Sequence, residues 1–274
     1  MSRHDPPSRP MTPPLDRPDR LWSLHHTADE VARRNRHIYD AMLHGSEHVR
    51  VGNFTALGSV DLRLLFDLYD ARFFDGLLDR MLREDGVGEV ALRPSTRMTR
   101  AAGKTYVRRE RRRTPAGVVD RVEYEIAVST MLLFQNFREP GRPVTVGGLV
   151  CGDRLEILQR IFEHELLHLA EFLAWGQSSC SAANFHALSR RIFGHEGATH
   201  DLVTPRERAA AVYQVRLGDR VSFEHEGRQR VGVVNRITKR ATVLVEDPQG
   251  RPYSDGRIYM TYYVPIPSLT KASG

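Results

Sequence analysis

Residues 153–176 read DRLEILQRIFEHELLHLAEFLAWG, and this stretch decides the fold and the chemistry together. Its apolar residues are too frequent for a surface helix, so the pattern predicts a long, largely buried helix, capped by Asp153 and stopped by Gly176. Inside it lies HELLH at 164–168. Residues four apart stand one above the other on a helix, so the imidazoles of His164 and His168 can share one tetrahedral ion. Glu165, beside the first histidine, is placed to act as general base on a water activated by zinc. Two imidazoles and a carboxylate in so apolar a helix would be costly to bury without a metal to satisfy them.

A catalytic zinc takes a third protein ligand and leaves a position for water. The residues that follow offer several donors. Cys180 lies in the SSCSA loop just after the helix, and His186 lies on the next helical segment, ANFHALSRRIF. His195, His200 and Glu171 are further possibilities.

Working outward, the sequence predicts an α+β chain. Residues 21–43 are helical but polar, a peripheral segment extending to about 58. VDLRLLFDLYDARFFDGLL, after Gly58-Ser59, reads as one amphipathic helix with Leu64, Leu65, Leu68, Phe73, Leu77 and Leu78 near the helical period. EVALRPS and VEYEIAVS read as strands. With KTYVRRERRR and the Thr-Pro-Ala-Gly turn at 114–117, the second of them forms a hairpin in a small antiparallel sheet. The main domain spans 59–212. From 217 to 268 the composition turns to Val, Ile, Thr and Tyr with repeated turn signals, which predicts a small all-β barrel.

The chain has 274 residues, 41% hydrophobic and 27% charged, which is ordinary globular composition. No run approaches the roughly 18 apolar residues of a membrane span, so no membrane association is expected. The Pro/Arg-rich stretch 1–20 has no apolar core for a secretory signal and reads as disordered. Two cysteines, Cys151 and Cys180, make no disulfide framework, and the chain reads as cytosolic.

Several ordered motifs resemble the SprT-like metalloprotease family, which includes the Spartan-type proteases that degrade DNA-crosslinked proteins. LLFDLYDARFFDGLL is similar to its aromatic-rich first helix, LRPSTRMTRAAGKT to its strand and "RM...AG" turn, and EYEIAVSTMLL to the strand before its zinc helix. The resemblance covers about residues 60–203 and implies a zincin-like domain, a Zn2+ cofactor and a protein substrate. Where the family carries a third ligand histidine, this chain has Ser181, with Cys180 immediately before it. Thiolate is a strong zinc ligand and a serine hydroxyl a poor one. The expected set is therefore His164, His168 and Cys180, with Ser181 and His186 as the other candidates. Thr199-His200 resembles a later "TH" pair of the family. No CxxC pair is present, so the zinc ribbon of many relatives cannot form. GDRVSFEHEGRQRVGVVNRITKRATVLVED is similar instead to a KOW- or Tudor-type barrel, whose ligand this leaves open.

The net charge of +6 and the run at 104–113, one lysine and five arginines, suggest DNA or DNA-bound protein as a partner. On a strand Arg109, Arg111 and Arg113 share one face, which Glu123 and Glu125 on the partner strand would partly offset. The missing histidine and the basic hairpin also motivate a second reading, a catalytically weak or inactive relative acting as a nucleic-acid-binding module.

Overall fold

The computed structural model describes residues 16–114, 117–138 and 142–272, with backbone alone over 112–114 and 117–120. Helix α1 (Arg17–Ser23) is capped by Asp16, whose carboxylate accepts from the Asp19 amide. The disordered lead-in expected over 1–20 thus gives way to helix at Arg17, and its first fifteen positions lie outside the described residues. Helix α2 (Ala28–Gly45) opens on a capping box, in which Thr27 and Glu30 each accept from the other's amide.

The expectation of a peripheral segment over 21–58 is corrected here. Leu21, Ile38 and Met42 are fully buried in the main core. The apolar residues are few but lie on one stripe, Val31, Ile38 and Met42, and buried Asn35 fills the gap, its side chain 2.9 Å from Tyr69 Oη.

The helix predicted through 59–78 is two, α3 (Ser59–Phe73) and α4 (Leu77–Glu84). Asp75 and Gly76 take positive φ, 51° and 74°, and turn the chain. The Asp70 carboxylate then accepts from the amides of Leu78 (2.9 Å) and Asp79 (3.2 Å), satisfying the start of α4. Phe73, Phe74, Leu77 and Leu78 remain buried on both sides of the break, which is why periodicity alone did not show it.

Three strands follow, β1 (Ala91–Ser95), β2 (Gly103–Thr114) and β3 (Gly117–Ser129), in the order β1-β3-β2. The hairpin of β2 and β3 is antiparallel as expected, but β1 runs parallel to β3, so the sheet is mixed rather than antiparallel. The crossing from β1 to β2 leaves β2 on an edge, where its first residues pass over the long helix. After a short helix, α5 (Thr130–Leu133), come β4 (Val144–Val146) and β5 (Leu149–Cys151), joined by Gly147-Gly148 at φ +63° and +83°. Two successive positive φ values suit a tight hairpin turn and favour glycine.

Helix α6 (Arg154–Trp175) runs through the core. The Asp153 carboxylate accepts from the Glu156 amide (2.9 Å), and Gly176 ends the helix at φ 71°. Both were legible in the sequence. Leu155, Ile157, Leu158, Phe162, Leu166, Leu167 and Leu169 are fully buried, each contributing about 1.5–3 kcal/mol relative to exposure. The loop 177–182 leads to α7 (Ala183–Phe193), and Thr204 caps α8 (Pro205–Val212).

The C-terminal strands β6 (Arg220–His225), β7 (Arg228–Ile237), β8 (Ala241–Pro252), β9 (Ile258–Val264) and β10 (Thr270–Lys271) form one antiparallel sheet in the order β10-β6-β7-β8-β9. The closed barrel expected here is not formed. β9 is followed by Pro265 and a 3-10 turn, and β10 pairs with β6 over only two residues, so no ladder joins β9 to β10. The sheet has its own core around Val221, Phe223, Val234, Val243 and Val264. Among the described residues, no helix is long and apolar enough to cross a membrane.

Candidate metal centre

Arg160, His164 and His168 make a stripe on the one face of α6 that meets a cavity of about 370 Å³. Across it stand Gly103, Lys104 and Thr105 from β2, Val146 and Gly147 from β4, and the segment Ala198–His200. The Nε2 atoms of His164 and His168 are 3.1 Å apart. Two Zn–N bonds of about 2.0–2.1 Å at a tetrahedral angle place their nitrogens about 3.3 Å apart, so the pair fits one ion.

Of the three candidates for a third ligand, Cys180 is the one at the site. Its Sγ and the two imidazole nitrogens lie within 4.8 Å of one another, against about 3.6 Å for a nitrogen and a sulfur on one zinc. The difference is small for an exposed loop residue to close. Ser181 bonds the Ser179 hydroxyl at 2.9 Å and does not line the cavity, and His186 is exposed beside Trp22 and Arg190. His195 is also committed elsewhere, bonding Glu163 Oε2 at 2.6 Å in the core.

The two histidines are oriented by residues that sequence reasoning did not place in that role. His168 Nδ1 meets Ser178 Oγ at 2.6 Å, and Ser178 donates to Glu171 Oε2 at 2.5 Å. The serine proton goes to the carboxylate, so the imidazole donates from Nδ1 and leaves the Nε2 lone pair for a metal. Phe185, buried on α7, packs its ring 4.8 Å from His164 and 4.7 Å from His168. On the neighbouring face, the wholly buried Glu163 accepts from Tyr69, Arg160 and His195, which ties α6 to α3 and to the 195–200 segment. Only the carboxylate next to His164 hinted at this in the sequence.

Glu165 is 4% exposed and held by the start of β2. Thr105 Oγ1 lies 2.8 Å from its Oε2, and a Cβ on Gly103 would come within 2.5 Å of Oε1. Glycine at 103 is therefore a steric requirement of the carboxylate. Burial pushes the Glu165 carboxyl up to about 7, against the Thr105 hydrogen bond, which lowers it. That lies near the operating range of a general base.

Burial and the neighbouring His168 push His164 down to about 3, and burial pushes His168 down to about 4. Both imidazoles are thus neutral at pH 7, the form that binds metal. A histidine whose folded pKa is depressed contributes stability above its unfolded value, about 6.5, and loses it as pH falls through the folded value. Glu165 has the opposite sign, but it counts one proton against two. The metal-free protein is therefore expected to lose stability on acidification from about pH 6.5 to 5. Urea midpoints across that range check this, and substituting both histidines by glutamine should abolish the loss and leave the opposite slope of Glu165.

The basic hairpin is arranged differently from the expectation. Arg109, Arg111 and Arg113 do share a register face, opposite Val122, Asp120 and Val118. Glu123 and Glu125, however, pair with Arg108 and Tyr106 on the other face, and Glu125 bonds Arg93 at 2.7 Å. The offset expected from those glutamates does not reach Arg109. That guanidinium donates to the Gly176 carbonyl at 3.1 Å and closes the end of α6. Arg111 is exposed, and the Arg113 side chain lies outside the described residues.

Comparisons with family models, with curated proteins and with solved structures give no match.

Proposed function

We propose that the chain is a zinc-dependent metalloendopeptidase of the SprT-like kind, with His164, His168 and Cys180 holding the metal and Glu165 as general base. The observation that carries this reading is convergence. Two neutral imidazoles 3.1 Å apart, a thiol and a clamped carboxylate face one cavity large enough for a peptide segment. A zinc ion held there by His164, His168 and Cys180 would supply Lewis acidity, lowering the pKa of a water and polarising a carbonyl.

The protein's own groups do the rest. Thr105 holds Glu165 Oε2, leaving Oε1 to take a proton from the attacking water. The same oxygen then passes that proton to the leaving nitrogen as the C–N bond breaks, giving a carboxylic acid and an amine, and transfer of the acid's remaining proton to the amine leaves carboxylate and ammonium. The apolar walls of buried Ile161 and Val146 and half-buried Phe172 shield the bound segment from bulk water. The test is cleavage of an unfolded protein by the zinc-loaded chain, lost on chelation, restored by zinc and absent in Glu165→Gln.

DNA-bound proteins are the substrates we favour, because the exposed cations Lys104, Arg108 and Arg111 stand on the strand that borders the cavity. A salt-dependent gel shift on DNA should weaken when these three are changed to glutamine. Unchanged binding would remove DNA from the proposal while leaving the protease reading intact.

A further inference from the structure

The hydrolysis proposed above needs a donor for the negative charge that develops on the carbonyl oxygen, and none of the residues assigned so far supplies one. His200 stands in the right place. Its segment is pinned to β4 through backbone and side chain: Gly147 N donates to Thr199 O (2.9 Å), Asp201 N to Thr145 O (3.1 Å), and Thr145 N to Asp201 Oδ1 (2.6 Å). Arg142 holds Asp201 from the far side at 3.3 Å. Within this ladder Val146 and His200 are bridge partners. Partners directly opposite in a ladder project to the same face, and both of these line the cavity that holds His164, Glu165 and His168.

The ring is also fixed in its tautomer. The Leu202 amide donates to His200 Nδ1 at 3.4 Å, so in the neutral imidazole the proton resides on Nε2. Nε2 makes no hydrogen bond with any described residue. A rigid strand-like segment thus presents an N–H donor to the cavity from the wall facing the catalytic helix. A donor held in place before the reaction needs no reorganisation as charge builds up, which is where such groups have their largest effect.

We propose that His200 is a catalytic residue: its Nε2–H donates to the carbonyl oxygen of the bond being cleaved and stabilises the oxyanion formed when water adds. The inference rests on the protease reading. No bond to His200 is made or broken, because water supplies the nucleophile and Glu165 carries the proton.

The experiment uses the full chain with zinc, as wild type, His200→Gln and His200→Asn. The ladder is held by the backbone and by Asp201, so both variants should keep their circular dichroism and zinc content. In each, kcat should fall about 10²–10³-fold with KM little changed. Affinity for a peptide phosphonamidate, a tetrahedral anionic analogue, should fall by a similar factor. Affinity for the uncleaved peptide, measured on a Glu165→Gln background, should stay within about twofold.

Unchanged kcat and analogue affinity would overturn the proposal. So would loss of zinc in both variants, which would make His200 a ligand. Wild type that takes up zinc but hydrolyses no peptide refutes the protease reading and the catalytic role of His200 with it, whereas an active wild type with unchanged variants refutes the role of His200 alone. Failure of the wild type to bind the analogue sinks both.

Discussion

Glu165→Gln is expected to abolish peptide hydrolysis, by about 10²–10⁴-fold or more, while zinc stays bound at the wild-type ratio. Glutamine is nearly isosteric, so the close approach of Gly103 and the hydrogen bond from Thr105 are both retained. What is lost is the capacity to accept a proton. In the metal-free chain burial raises the pKa of this carboxyl, and the carboxylate form is the one that accepts a proton. The amide accepts none. Cleavage followed by mass spectrometry, with zinc measured on the same preparation, checks both halves. Retained proteolysis would mean that another group activates the water.

Cys180→Ala is expected to have the second largest effect, and it acts on the metal rather than the base. Loss of a supporting hydrogen bond typically weakens a zinc site about 10–100-fold, and removing a ligand should exceed that. The two histidines keep their orientation through Ser178 and Phe185, so residual weak binding is expected rather than collapse of the fold. Cys180 is exposed on a loop and contributes little to the core. Competition with a chromophoric chelator gives the affinity, and a thermal melt without metal should show little change. Full wild-type affinity in the variant would exclude the thiolate. His186 offers no substitute, because it lies on the outer face of α7.

The parts of this protein legible in its sequence are those set by local rules. Asp153 and Gly176 mark the ends of α6 because capping and a left-handed C-terminus are local chemistry. HELLH places its own histidines because four residues make about one helical turn. The Cys180 candidate also followed from ligand chemistry and a short loop.

What was not legible depends on register and on distant partners. The break after Phe73 was masked because its flanks stay apolar, although Asp75-Gly76 carried the turn signal. Arg109 reads as a free cation in a basic run, yet its guanidinium closes a helix sixty-seven residues away. Gly103 looks like a turn glycine until β2 is laid against α6 and the Glu165 carboxylate fills its missing Cβ. The sheet beyond 217 has the composition of a barrel, but closure depends on the lengths and ends of β9 and β10, which composition does not encode.

The central claim is that His164, His168 and Cys180 hold one zinc ion. Cobalt substitution of the purified chain tests it most directly, because cobalt reports both geometry and ligand type in its visible and near-ultraviolet spectrum. The expected result is about one metal per chain, intense visible bands of a tetrahedral site, and a sulfur-to-cobalt charge-transfer band that disappears in Cys180→Ala. A chain that takes up no metal, or a cobalt spectrum without the thiolate band, would contradict it.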